Sequence, residues 1–283
     1  MKKLIFALIG ALAAVFILLS VLGSNKEYVA EKALYRAGKA QNKIMSNPDV
    51  APPTMVAAVE RELRDVLKRY PETNAARAAH MMLVENYMTQ KKYSDAVAIL
   101  EQAITKYDDI AFQSKAHFLK ALVYEKMDQW GNSMKEFNLL KTRFLVTPLG
   151  MQAPMYIAQH YVNKKDPATA KEQFARAAAF YERLRQEHKG TLMGYAASNL
   201  IVQAYMYLDR YEDAGRVVEE SILDYPSTLT FVQQMPFIEM IYLDKLKRPG
   251  DAIRLYRNII DKTDDQKIEK YLDEKIGKLV EKK

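Results

Sequence analysis

The chain has 283 residues, 49% of them hydrophobic, with only ten glycines and ten prolines. That is ample for one elongated or two compact cores, and the abundance of Ala, Leu, Glu, Lys, Met and Tyr favours helix almost throughout. There is no cysteine, which excludes disulfides, thiolate metal sites, cysteine nucleophiles and lipid attachment at cysteine. Of the formal net charge of +7, about +5 falls in residues 1–45, where Lys2, Lys3, Lys26, Lys32, Arg36, Lys39 and Lys43 face only Glu27 and Glu31. The rest is close to balanced, which argues against nucleic-acid binding, since a nucleic-acid binder spreads its basic stripe along the working face.

Residues 4–23 form a run of twenty without a charge, preceded by Lys2 and Lys3. That length spans a bilayer as a helix, and the lysine pair keeps the N-terminus inside and sends the bulk outward. The alternative is a signal peptide cleaved after Gly23. Residues 28–44 then read as a helix with Lys32, Arg36, Lys39 and Lys43 on one face. The stripe is either a contact for anionic headgroups or the solvated face of an ordinary first helix. Pro48, Pro52 and Pro53 break it, Thr54 is the expected cap of the next helix, and Tyr70–Pro71 ends that one.

From residue 77 the chain repeats. Tyr87 precedes Tyr93 by six residues and Ala96 by nine. Tyr124, Trp130 and Ser133 keep that spacing, as do Tyr161, Pro167 and Ala170, then Tyr205, Tyr211 and Ala214. A fifth copy, Tyr242, Pro249 and Ala252, has one residue more, placed in its turn. Successive small residues Ala96, Ser133, Ala170, Ala214 and Ala252 lie 37, 37, 44 and 38 apart. This period is that of stacked helical hairpins, with a turn at Gln90–Lys91–Lys92 in the first. The small residue lets the paired helix axes approach. Leu100, Phe137, Phe174, Val218 and Tyr256, four residues on, continue the buried face. The late aromatic is expected to fill the gap towards the following hairpin. The longer interval comes from a second helix extended to His188 and stopped near Gly190.

Residues 76–109 resemble a tetratricopeptide repeat, and residues 205–226 show the same tail with its closing proline. The family's early tryptophan is replaced by His80, His117 or Pro154, and its glycine by Val84, Ala121, Ala158 or Val202. The phrase Arg69-Tyr70-Pro71-Glu72-Thr73 is similar to bacterial envelope members, such as a membrane-anchored translocon helper or outer-membrane assembly proteins. The resemblance implies an all-α fold, a right-handed α-solenoid of helical hairpins preceded by one N-terminal transmembrane helix. It divides the chain into an anchor (1–24), a basic juxtamembrane segment (25–54), a repeat domain (55–262) and a charged, neutral-by-count capping helix (263–283). It also implies a concave groove lined by first helices. The candidate residues are Met81, Glu85, Met88, Phe118, Leu122, Glu125, Met155, Gln159, Asn163, Asn199, Gln203 and Met206, an apolar and amide-rich lining for an extended peptide.

No HExxH, P-loop, GxSxG or GxGxxG phrase is present, and His80 and His117 recur at equivalent repeat positions as packing residues. Neighbouring acids Asp108–Asp109, Glu219–Glu220 and Asp264–Asp265 point apart on a helix. The expected function is a membrane-anchored, extracytoplasmic scaffold that binds a protein or peptide partner, with no cofactor and no catalysis. The expected location is the inner membrane with the bulk in the periplasm. A secreted or periplasmic adaptor, or a cell-wall enzyme built on convergent acids, are the alternatives.

Overall fold

The computed structural model describes residues 25–47 and 50–281, and all regular structure among them is helical. The uncharged run at residues 4–23 lies outside the described residues. Among the helices that are described, none is long and apolar enough to cross a membrane. The chain divides into two units, Met1–Leu140 and Lys141–Lys283.

The first unit holds α1 (Lys26–Ser46), α2 (Pro53–Arg69), α3 (Asn74–Thr89), α4 (Tyr93–Lys106), α5 (Ile110–Lys126) and most of α6 (Trp130–Arg143). The second holds α7 (Pro148–Asn163), α8 (Pro167–Glu187), α9 (Leu192–Tyr207), α10 (Tyr211–Asp224), α11 (Thr228–Ile238), a π-helical segment (Glu239–Lys245), α12 (Pro249–Ile260) and α13 (Gln266–Glu281). First helices pack on their own second helices (α1 on α2, α3 on α4, α7 on α8, α9 on α10), and second helices pack on the next first helix (α2 on α3, α4 on α5, α8 on α9, α10 on α11). The basic helix α1 pairs with α2 and also touches α3, so it stands in the place of a first helix in an additional hairpin.

Five hairpin turns share one backbone geometry. Lys91, Asp128, Lys165, Asp209 and Lys247 adopt left-handed φ between 55° and 59°. In the first four, the next N–H reaches back to the repeated tyrosine: Lys92 to the Tyr87 carbonyl, Gln129 to Tyr124, Asp166 to Tyr161 and Arg210 to Tyr205, each at 2.9 Å. This is the six-to-one bond of a Schellman cap. The fixed tyrosine-to-second-helix spacing is therefore the length of that cap. In the fifth copy Arg248 N–H bonds the Tyr242 carbonyl at 2.6 Å across one more residue. The extra residue lies in the π-helical segment, where Leu246 N–H reaches Ile241, and not in the turn.

First helices begin on side-chain caps: Thr73 Oγ1 accepts from Ala76 N–H at 3.1 Å, Asp109 from Phe112 at 2.8 Å, Thr147 from Gly150 at 3.1 Å, Thr191 from Gly194 at 3.2 Å and Ser227 from Thr230 at 3.2 Å. The expected Thr54 cap is not used. Helix α2 starts at Pro53, after Pro52; a proline at the first position has the helical φ and no N–H to satisfy.

The small positions Ala96, Ser133, Ala170, Ala214 and Ala252 are completely buried, and Leu100, Phe137, Phe174, Val218 and Tyr256 lie beside them in the cores. Ser133 stands where the other copies have alanine, and its Oγ has no hydrogen-bond partner among the described residues. A buried hydroxyl without a partner costs about 1–3 kcal/mol. Ser133→Ala is expected to raise the unfolding free energy by about 1 kcal/mol, read from the denaturant midpoint.

The late aromatics Tyr87, Tyr205 and Tyr242 face the preceding hairpin rather than the following one. The Tyr87 hydroxyl donates to Glu60 Oε1 of α2 at 2.9 Å and accepts from Arg64. Tyr205 donates to Glu182 of α8 at 3.2 Å. Tyr242 packs on α10 at Gly215, where a Cβ would meet its Cζ at 2.8 Å. These side chains point back towards the N-terminus of the chain's hairpin order.

Candidate functional site

The first helices keep a stripe of exposed and half-buried positions outside the hairpin packing. In the second unit, α7 and α9 lie side by side. On α7, Gln159 and Asn163 are exposed and joined by a 3.2 Å amide bond, with Met155 half-buried beside them. On α9, Gln203 is exposed while Asn199 and Met206 are half-buried. Asn199 Oδ1 accepts from Gln234 Nε2 of α11 at 2.7 Å, so this amide ties neighbouring first helices together. Tyr195 adds a second tie by donating to Gln233 Oε1 at 2.8 Å.

The first unit treats its candidates differently. Met81 is only 6% exposed and belongs to the core. Glu85 accepts from Gln41 of α1 at 3.2 Å, and Met88 packs half-buried against the core. Phe118 turns edge-on towards Phe137 of α6 at 6.2 Å between ring centres. Leu122 and Glu125 are half-buried. The exposed amides of the candidate set are thus Gln159, Asn163 and Gln203.

Beyond α9 the stripe becomes apolar. Leu229, Val232 and Met240 are exposed along α11 and the π-helical segment. Between them and α13 lies a cleft of about 410 Å³ lined by Val232, Met235, Pro236, Glu239, Lys267, Ile268 and Tyr271. Val232 is 51% and Tyr271 45% exposed, an apolar entrance where α13 occupies the place of a further first helix. Lys275 Nζ lies 2.7 Å from Glu239 Oε1 and 5.4 Å from the Tyr271 ring centre. The hydrogen bond to Glu239 outweighs desolvation and raises the Lys275 pKa. Apolar walls, with Glu239 paired to Lys275 and Lys267 as the remaining charge of the lining, suit an apolar side chain.

This cleft was not in the sequence-derived set. The groove positions that the resemblance implies end at Met206, and residues 263–283 read as a cap. The available signal was the row Leu229, Val232, Pro236 and Met240, at helical spacing and apolar on the face opposite Phe231, Gln234 and Ile238.

The histidines pack. His80 Nδ1 lies 2.9 Å from the Ala76 carbonyl, edge-on to Tyr107, and burial lowers its pKa. His117 Nδ1 donates to Glu136 Oε2 at 2.7 Å, and Lys120 bridges Glu136 at 3.2 Å and Glu101 at 3.0 Å. Burial pushes the Glu136 carboxyl up, but the His117 bond and then Lys120 outweigh it and leave its pKa lowered. A depressed carboxylate stabilises the fold above its unfolded value and ceases to as pH falls through the folded one. The first unit is therefore expected to lose stability below about pH 4.5, and Glu136→Gln to flatten that acid limb in a denaturation series.

Among the described residues no group of three His, Cys, Asp or Glu is placed to hold a metal ion. The neighbouring acids diverge: Glu219 pairs with Arg254 and Glu220 with Arg185, while Asp109 and Asp265 cap helices.

No family model and no curated protein matches the chain. Solved structures do. A tetratricopeptide repeat protein from Parabacteroides merdae is similar at 12% identity and a TM-score of 0.37, covering 87% of this chain and 86% of that one. The TPR domain of P58(IPK) gives 14% identity and 0.31, covering 90% and 67%. BtubC from P. vanneervenii gives 11% and 0.33, covering 90% and 91%. At these scores the description of the chain as a helical-hairpin repeat protein rests on its own recurring turns, caps and buried small residues.

Proposed function

We propose that the chain is a scaffold that holds a protein partner against its first-helix faces, with the cleft between α11 and α13 as the anchor pocket. The observation that carries this is an apolar cleft of about 410 Å³ between α11 and α13, beside α9, which exposes Gln203. Side-chain amides bond an extended peptide backbone, and the cleft takes an apolar side chain from it. The finer reading is that residues 4–23 anchor this scaffold in the inner membrane with its bulk outside, in a role in envelope protein assembly or translocation. The support for it is the uncharged run behind Lys2 and Lys3.

The test is binding of the full chain to an array of extended peptides. Spots with an aliphatic or aromatic anchor are expected to be selected, and Val232→Glu is expected to weaken them at least tenfold. Val232 is exposed, so the variant keeps its helical circular dichroism. Undiminished selection by that variant would remove the cleft from the proposal.

A further inference from the structure

The face of α1 turned away from its own core has a composition unlike that of the other helices. Ala30, Ala37, Gln41 and Ile44 are buried against α2 and α3. On the opposite side, Tyr28 and Tyr35 are 54% and 72% exposed, and Lys32, Lys39 and Lys43 are exposed along the same side. At 100° per residue these five fall within one narrow stripe. Two large aromatic rings exposed beside lysines form a surface that a partner or a membrane can cover.

The charges sort cleanly. Arg36 is held by Glu62 of α2 at 2.8 Å, so it offers little to a partner. Glu27 is occupied by the Asn74 N–H at 3.0 Å. Lys32, Lys39 and Lys43 make no ion pair among the described residues, and Glu31 lies at the stripe's edge. The surface presented is therefore two tyrosines and three unpaired lysines.

We propose that this stripe lies on a bilayer surface bearing anionic lipid, tyrosine rings at headgroup level and lysines on the phosphates. It rests on the reading of residues 4–23 as an anchor, because only Ser24 and Asn25 separate that run from α1. A helix starting there is held within reach of the headgroups, where lysines next to amphipathic aromatic rings are stabilised. An acidic protein would satisfy the lysines but gives no reason for the exposed tyrosines. The contact would set the orientation of the first hairpin at the membrane.

The absence of cysteine makes the test direct. The full chain carrying Asn42→Cys, at the edge of the stripe, takes a single environment-sensitive dye. It is mixed with vesicles of phosphatidylcholine alone or with added phosphatidylglycerol, and flotation and emission are both read. The expected result is flotation with both vesicles but a blue shift only with the anionic ones. Each step through Lys32→Gln, Lys39→Gln and Lys43→Gln should lower the bound-to-free ratio of the label about fivefold.

Flotation with both and no lipid-dependent shift overturns the α1 surface while leaving the anchor. Flotation only with anionic vesicles, with the shift, overturns the anchor while leaving α1. No flotation with either overturns both. A shift given by polyglutamate but not by anionic vesicles assigns the stripe to an acidic protein and overturns the lipid assignment.

Discussion

Gly194→Ala is expected to destabilise the second unit by about 2–3 kcal/mol, although helix propensity alone gives the opposite sign. Gly194 is the third residue of α9, its N–H held by Thr191 Oγ1 at 3.2 Å. A Cβ there would collide with the His188 carbonyl oxygen and stand 2.7 Å from the Tyr225 hydroxyl. Neither can retreat freely: Tyr225 accepts from the Gly190 N–H at 3.2 Å and packs on Tyr195, and the loop turns at Gly190 with φ of +80°. Gly277 in α13 is the control, with nothing within 4 Å of its added Cβ. Gly277→Ala should gain about 0.5–1 kcal/mol. Thermal unfolding reads both, with a fall of roughly 5–10 °C for Gly194→Ala. A variant as stable as the parent would show that α9 does not start against that loop.

The largest loss is expected at the position four residues after the small one. Phe137→Ala and Phe174→Ala should each cost about 3–5 kcal/mol by removing a buried ring and leaving a cavity. Phe174 also stacks on Tyr207, with centres 3.8 Å apart and planes inclined by 26°, a contact that adds about 0.5–1.5 kcal/mol beyond burial. Tyr35→Ala, on the exposed face of α1, should change stability by no more than about 0.5 kcal/mol. Denaturant midpoints at unchanged slope measure these differences. Losses under about 1 kcal/mol at both phenylalanines would contradict the hairpin register.

That register was legible because it is written in backbone terms. Tyr87, Tyr124, Tyr161 and Tyr205 precede the next helix by one cap length, and the small residue follows at a fixed step along the helix. Side-chain direction was not legible: whether Tyr87 faces α2 or the next hairpin depends on tertiary partners such as Glu60 and Arg64. The residue added near Tyr242 was also ambiguous, since a turn and a π-helical segment absorb an insertion equally well on paper. Thr54 misled because a preceding proline made its cap unnecessary. Of the candidate groove that the resemblance implies, Gln159, Asn163 and Gln203 are the amides that are exposed. The cleft was not legible, because it needs α13 to pack beside α11, and the alternating charges of α13 concealed Ile268 and Tyr271.

The central claim is that partners are held on the first-helix face. Photo-crosslinking amino acids placed singly at Gln203, at Val232 and, on the second-helix face, at Glu172 of α8 test it in the intact chain. The same crosslinked protein band is predicted from Gln203 and Val232 and absent from Glu172. Crosslinking from Glu172 alone, or equally from all three, would contradict the account.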